Sequence, residues 1–188
     1  PARASIVLPT RNRAALVAQA IRSVQAQDFQ DWELIVVDDG SSDDTRAVVS
    51  AFLDDGRIRL ESIEHAGAAV ARNHALALAR GEFFAYIDSD NLWFPDFLAA
   101  AVAAFDAEPG LDLLYGALVT EAHGLADSCL LLQDFDRPRL LQGNYIDMNT
   151  VVHRCTLYAE LGGFDESLDR LLDWDLLLRY TAGRTART

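Results

Sequence analysis

Short apolar runs of strand length alternate with segments of helical period along most of this chain, and that alternation leaves few folds open. The runs at 4–8, 33–37, 58–62, 83–87 and 112–119 read as strands. Between the first two, Leu16, Val17, Ala20, Ile21 and Val24 recur at helical spacing, with Thr10 or Asn12 available as N-cap. Asp44 or Thr45 opens a second helix that runs through Phe52. Gly67 leads into an alanine-rich helix over 68–79 that Gly81 stops as a C-cap, and Pro95 stands at N1 of a helix reaching Phe105. Such a β-α repeat predicts an open, mostly parallel sheet flanked by helices, the α/β class. Residues 120–147 lack a clean period and are expected to form loops with one short helix. Beyond them, 148–153 reads as a strand, and 156–161 and 174–180 read as helices.

Size and charge narrow the function. A chain of 188 residues that is 51% apolar can bury one core without a staple, so a single domain over 1–188 is expected. Acidic residues outnumber basic ones 29 to 16, and a net charge of -13 repels nucleic acid and anionic lipid. All 16 basic side chains are arginine. Without lysine there is no Walker P-loop, no Schiff base and no kinase of the usual plan. Cys129 and Cys155 stand apart, in no C-x-x-C arrangement, which fits a reducing compartment. No apolar run has the length of a membrane span, and PARASIVLPT lacks the pattern of a signal peptide. The expectation is a soluble, cytoplasmic domain. The chain begins without Met and stops at RYTAGRTART directly after an apolar periodic segment, so it reads as a piece of a longer protein. Attachment to the inner face of a membrane through the remainder stays open.

In an open α/β sheet, ligands sit outside the carboxyl ends of the strands, which singles out the polar residues just past each strand. Three groups fall there: Pro9-Thr10-Arg11-Asn12-Arg13, Asp38-Asp39-Gly40-Ser41-Ser42, and Asp88-Ser89-Asp90. They are expected to converge on one crevice. Asp88 and Asp90, two carboxylates at i and i+2, can reach one hard divalent cation, Mg²⁺ or Mn²⁺, with water and phosphate oxygens completing its shell. Such a cation would offset the repulsion between this acidic protein and a diphosphate and would stabilise that diphosphate as a leaving group. Taken alone, a D-x-D pair is more often a solvated acidic turn. The apolar FFAYI before it and the aromatic-rich NLWFP after it favour a ligand site. The plainer reading of Asp38 and Asp39 is a turn with a helix cap, and that of Arg72 a surface helix charge. His153 at a strand end could reach a metal or phosphate or be ordinary surface, whereas His65, His74 and His123 show no metal spacing.

Taken in order, SIVLPTRNR, ELIVVDDGSSDDT and GAAVARNHALALARGEFFAYIDSDNLWFPDFL resemble the motifs of the family 2 glycosyltransferases of GT-A fold, and the likeness spans nearly the whole chain. The resemblance implies a Rossmann-like GT-A domain, with 1–115 binding donor and metal and 116–188 serving the acceptor. It implies that Pro9, Thr10 and Asn12 line the nucleoside pocket, that Asp39 hydrogen-bonds the base, and that Arg72 contacts the nucleotide. Asp88, Ser89 and Asp90 would then hold the metal-bound diphosphate of a donor such as a UDP-sugar. LGGFDESLDRLLDWDLLLR resembles the acceptor-side motif, in which an acidic residue before a Trp is the catalytic base; Asp173 holds that position, with Leu172 where a second acidic residue is usual. Gly162-Gly163 would supply a turn that lets backbone approach the donor sugar, and Asp175 a structural contact. The implied reaction is a single inverting displacement onto a hydroxyl of a glycan or lipid-linked acceptor, as in the biosynthesis of cell-surface polysaccharides. A nucleotide-sugar-binding module without turnover is the alternative. Phosphatases of the haloacid dehalogenase type, receiver domains and sugar-nucleotide pyrophosphorylases all expect a lysine that this chain lacks.

Overall fold

The structure is a computed structural model that describes residues 2–121 and 128–188. His123 and the part of the 120–147 segment at 122–127 lie outside the described residues. The strands are β1 (Ala4–Thr10), β2 (Trp32–Asp39), β3 (Ile58–Ile63), β4 (Phe83–Tyr86), β5 (Leu113–Tyr115), β6 (Leu118–Glu121), β7 (Ser128–Leu131), β8 (Val151–Arg154) and β9 (Ala186–Arg187). The helices are α1 (Val17–Gln25), α2 (Thr45–Ser50), α3 (Ala68–Leu78), α4 (Phe97–Ala107), α5 (Arg137–Leu140), α6 (Cys155–Leu161) and α7 (Leu172–Tyr180).

The main sheet runs β3-β2-β1-β4-β8-β5-β9. Within it β8 alone is antiparallel to its neighbours β4 and β5; the other described pairings are parallel. Alternate residues of each strand feed opposite faces, as a period of two requires. Ile6, Leu8, Leu34, Val36, Phe83 and Ala85 pack with α1, α2 and α4, whereas Val7, Ile35, Val37, Phe84 and Tyr86 pack with α3, α6 and α7. The outcome is three layers, with the polar strand ends of β1, β2 and β4 opening at one edge.

Several local expectations are overturned. Thr10 belongs to β1 and Asn12 sits in a left-handed turn (φ 50), so neither caps α1, which starts after Leu16 with no side-chain cap. Gly81 is no left-handed C-cap. A Cβ there would lie 2.7 Å from the Ser5 backbone nitrogen, so Gly81 is needed for the close pass of β4's approach against β1. Pro95 precedes α4 rather than opening it, and its carbonyl accepts from the Asp28 N–H. The run at 112–119 breaks at Gly116 into β5, in the main sheet, and β6, which pairs with β7 in a separate two-stranded ribbon. In the run at 148–153, residues Met148–Thr150 form a 3-10 turn that caps back onto Asp147, and only then does β8 begin.

Candidate functional site

The three polar groups past β1, β2 and β4 meet at one cavity of about 430 Å³. Pro9, Thr10, Asp39, Arg72, Asp88, Ser89 and Asp90 all line it, together with Arg11, Arg13, His65 and the Gly67 end of α3. The topology explains the meeting, because β1 is flanked in register by β2 and β4 and all three end at the same edge. Two buried polar atoms on residues of this wall have no partner: Thr10 Oγ1 and Arg72 Nε. Orphaned groups of this kind are rare in interiors, and here both belong to residues that line the cavity.

Asn12 does not line the cavity. Its Oδ1 accepts from the Ser42 N–H at 2.9 Å while its own N–H donates to Ser41 Oγ at 2.9 Å, so it ties the β1–α1 loop to the turn after β2. Asp39 is buried, and its carboxylate is already heavily used. It accepts from Ala66 N–H at 2.7 Å, Gly67 N–H at 3.1 Å and His65 Nδ1 at 2.8 Å. Because an ionised carboxylate only accepts, the Asp39 contact places the proton on His65 Nδ1 and leaves Nε2 as an acceptor when the ring is neutral. Gly40 makes this possible: its φ is +69, and a Cβ there would stand 2.8 Å from the His65 backbone nitrogen.

Arg72 occupies the middle of the site. Its side chain is 8% exposed; Nη2 donates to Asp88 at 2.9 Å and Nη1 to Asp173 at 2.7 Å, while the guanidinium lies 5.1 Å from the Phe164 ring centroid. Burial works to lower its pKa, but the two carboxylates outweigh that and hold it raised. Asp173 lies in the first turn of α7, where the helix dipole favours a carboxylate. Burial pushes its pKa up against the opposing pull of Arg72, and the negative charges of Asp88 and Asp147 push the same way as burial. On the far side of Arg72 a second cavity, about 310 Å³, is lined by Asp173, Trp174, Asn144 and Arg170. One guanidinium therefore forms a wall shared by two cavities.

Asn149 went unread in the sequence. It is buried, accepts from the Asp88 N–H at 2.6 Å, and donates to Asp88 Oδ2 at 3.3 Å and to Asp147 Oδ1 at 2.9 Å. Its only signal was a polar side chain at the start of the 148–153 run, where Thr150 and His153 are polar as well. Asp90 is the more open carboxylate, with Arg13 at 3.8 Å and the Asn91 amide at 3.3 Å. Among the described residues no group of three or more His, Cys, Asp and Glu forms a self-contained metal site. A pair of carboxylates facing one cavity is the donor set expected of Mg²⁺ or Mn²⁺ that takes its remaining ligands from phosphate and water, so Asp88 and Asp90 fit such an ion.

One reading fails. His153 is fully buried on β8, donates from Nδ1 to its neighbour's carbonyl and accepts the Tyr86 hydroxyl at Nε2, 2.7 Å away, so it reaches neither metal nor phosphate. Gly163 answers to close packing: a Cβ there would collide with Asn73 Oδ1, which accepts from the Phe164 N–H. Gly162 supplies the turn, at φ 73. Asp175 is structural as expected, pairing with Arg179 one turn on at 2.9 Å. No helix among the described residues is long and apolar enough to cross a membrane.

Comparison with known proteins follows the same lines. UDP-Glc:alpha-D-GlcNAc-diphosphoundecaprenol beta-1,3-glucosyltransferase WfgD of Escherichia coli is 41% identical over 113 residues, which cover 60% of this chain and 44% of that enzyme. GalNAc(5)-diNAcBac-PP-undecaprenol beta-1,3-glucosyltransferase of Campylobacter jejuni is 38% identical over 125 residues, 64% of this chain and 39% of that one. The chain thus spans less than half the length of either relative. Among solved structures, S. aureus TarS 1-349 in complex with UDP, a GT-A glycosyltransferase, superposes with a TM-score of 0.82 at 25% identity, covering 98% of this chain and 57% of that one. The model of glycosyl transferase family 2 matches residues 5–123, from β1 through β6, and this chain belongs to that family.

Proposed function

We propose that the chain carries out inverting glycosyl transfer from a nucleotide-diphosphate sugar to an acceptor hydroxyl, with Asp173 as general base. The observation that carries this reading is the arrangement at Arg72: a polar cavity with Asp88 and Asp90 on one side, and on the other a smaller cavity holding a part-buried carboxylate of raised proton affinity. The first suits a donor and the second an acceptor. Residues 1–115 supply the donor side and 116–188 the acceptor side.

Asp88 and Asp90 would hold Mg²⁺ or Mn²⁺, and the ion, when bound, supplies charge neutralisation to a departing diphosphate. Thr10 Oγ1 and the free acceptor face of His65 offer hydrogen bonds to the nucleoside, and Ser89 borders the diphosphate. The donor is read as a UDP-sugar, supported by the UDP complex of TarS and by the E. coli relative named for UDP-Glc. The acceptor is read as a glycan or lipid-linked glycan, since both bacterial relatives are named for undecaprenol-linked substrates. In the reaction Asp173 takes the proton of the acceptor hydroxyl as its oxygen bonds to C1. The C1–O bond to the diphosphate breaks with both electrons leaving on that oxygen, and the anomeric configuration inverts. A base buried enough to have a raised pKa is the stronger base for this step.

A second reading, a nucleotide-sugar-binding module without turnover, is favoured by Leu172 beside Asp173 and by the commitment of Asp173 to Arg72. Calorimetry with UDP and Mn²⁺ detects either activity. A transfer assay separates them: product formation supports the first, and binding with neither transfer nor donor hydrolysis supports the second.

A further inference from the structure

Arg72 comes from α3, Asp88 from the loop after β4, and Asp173 from α7, 101 residues further along the chain than Arg72. No sequence pattern brings these together, and the fold does so through one planar cation. Its two terminal nitrogens are divided between the two carboxylates, and its third nitrogen, Nε, is buried without a partner. For stability alone this is a poor arrangement, because apolar side chains of the same volume commonly serve a core as well or better. The guanidinium is also confined from its face by Phe164, whose backbone N–H is in turn held by Asn73 at 2.8 Å.

The start of α7 needs such a hold. Leu171 precedes the helix with φ 63, a left-handed conformation costly for a branched side chain, and the N-terminus has no side-chain cap. Leu171 is 64% exposed, so packing does little to fix it. The described side-chain ties at this end are the Arg72 contact to Asp173, the Trp174 indole N–H to the Leu140 carbonyl at 2.7 Å, and the Asp175–Arg179 pair within the helix.

We propose that Arg72 is a positioning residue that fixes the Asp173 carboxylate, and with it the first turn of α7, relative to the donor-side Asp88, so that donor site and base are set as one rigid unit. The proposal rests on the transferase reading above for its kinetic consequence, and on geometry alone for its structural one. It departs from the expectation that Arg72 serves the nucleotide directly: the terminal nitrogens are spent on protein carboxylates. A lysine could not reproduce the hold, because one ammonium nitrogen would have to be shared between both carboxylates in place of a rigid fork.

The test is Arg72→Lys, with Phe164→Leu as a second variant that loosens the guanidinium without changing any charge. Hydrogen exchange across 172–175 is expected to quicken in both variants, more in Arg72→Lys, while β1, β2 and β4 keep their protection. This arm does not depend on turnover. UDP affinity by calorimetry is expected to weaken by no more than about tenfold, through the loosened Asp88, whereas kcat for transfer falls on the order of 100-fold in Arg72→Lys, the scale expected for a base displaced by about 1 Å. Adding Asp173→Asn to Arg72→Lys is expected to cost little beyond Asp173→Asn alone. Unchanged exchange at 172–175, or UDP affinity lost in step with kcat, overturns the proposal. An unmodified protein that binds UDP without transferring overturns the transferase reading instead, and the exchange arm still decides the role of Arg72.

Discussion

Replacing Asn149 by Ala isolates the support beneath Asp88. The substitution removes the acceptor of the Asp88 N–H, a 2.6 Å bond, and the donor shared by Asp88 and Asp147 at 3.3 and 2.9 Å. Asn149 is 7% exposed, so bulk water does not replace it freely. An orphaned buried N–H costs about 1–3 kcal/mol, and a bond to a charged acceptor contributes about 1.5–3 kcal/mol net. These terms overlap, because the Asp88–Asn149 contacts form one small network, and a water entering the vacated space recovers part. The expected loss is about 2–4 kcal/mol. For a chain of this size each kcal/mol moves Tm by about 2–4 °C, so the melt should fall by roughly 5–15 °C. Urea unfolding gives the free energy directly, and calorimetry with UDP and Mn²⁺ should show weakened donor binding as Asp88 loses its orientation. Asn149→Asp restores the acceptor for the Asp88 N–H but sets a third carboxylate beside Asp88 and Asp147, so it should recover little. A loss below about 0.5 kcal/mol for Asn149→Ala, the range of ordinary surface changes, refutes this account of how Asp88 is held.

Gly81→Ala should destabilise by about 1–3 kcal/mol, since its Cβ would press to 2.7 Å on the Ser5 nitrogen and 2.9 Å on the Ala4 carbonyl carbon, both rigid backbone of β1; urea unfolding measures this. Burial pushes His153 down to about 4, below its unfolded value near 6.5, so the folded state prefers the neutral ring. The sign follows: its contribution is complete above 6.5 and is lost as pH falls from 6.5 towards 4, by about 3 kcal/mol in all. The stability difference between the parent and His153→Gln, followed from pH 7 to 4, should shrink across that window. Burial also raises Asp173, so the acid limb of kcat/KM should lie above the ordinary aspartate value of 3.8, with activity rising as pH increases through it.

The layered α/β fold was legible because buried strands and amphipathic helices differ in period, and β1 through α4 follow that rule without interruption. The strand-end rule then brought Pro9, Thr10, Asp39, Asp88, Ser89 and Asp90 to one cavity. What went unread depends on distance in the chain. Gly81 looked like a helix stop because its reason, the backbone of Ser5, lies 76 residues earlier. Asn12 looked like a pocket residue because its partners Ser41 and Ser42 belong to another loop. His153 looked like a surface histidine because the Tyr86 hydroxyl that satisfies it sits on the adjacent strand. Asn149 and the Arg72 bridge share this character: each matters through partners that only the tertiary fold brings close. The break of the 112–119 run at Gly116 and the reversed direction of β8 arise after the β-α repeat ends, where periodicity no longer dictates connection.

The central claim is that Asp173 activates an acceptor hydroxyl against a donor held at Asp88 and Asp90. Its most direct test is a transfer assay with a UDP-sugar, a divalent cation and an undecaprenol-diphosphate-linked acceptor, run on the parent and on Asp173→Asn. The account predicts product of inverted anomeric configuration from the parent, a loss of about 10²–10⁴-fold in kcat for Asp173→Asn, and UDP affinity nearly unchanged. Full transfer by Asp173→Asn with normal UDP binding would contradict it.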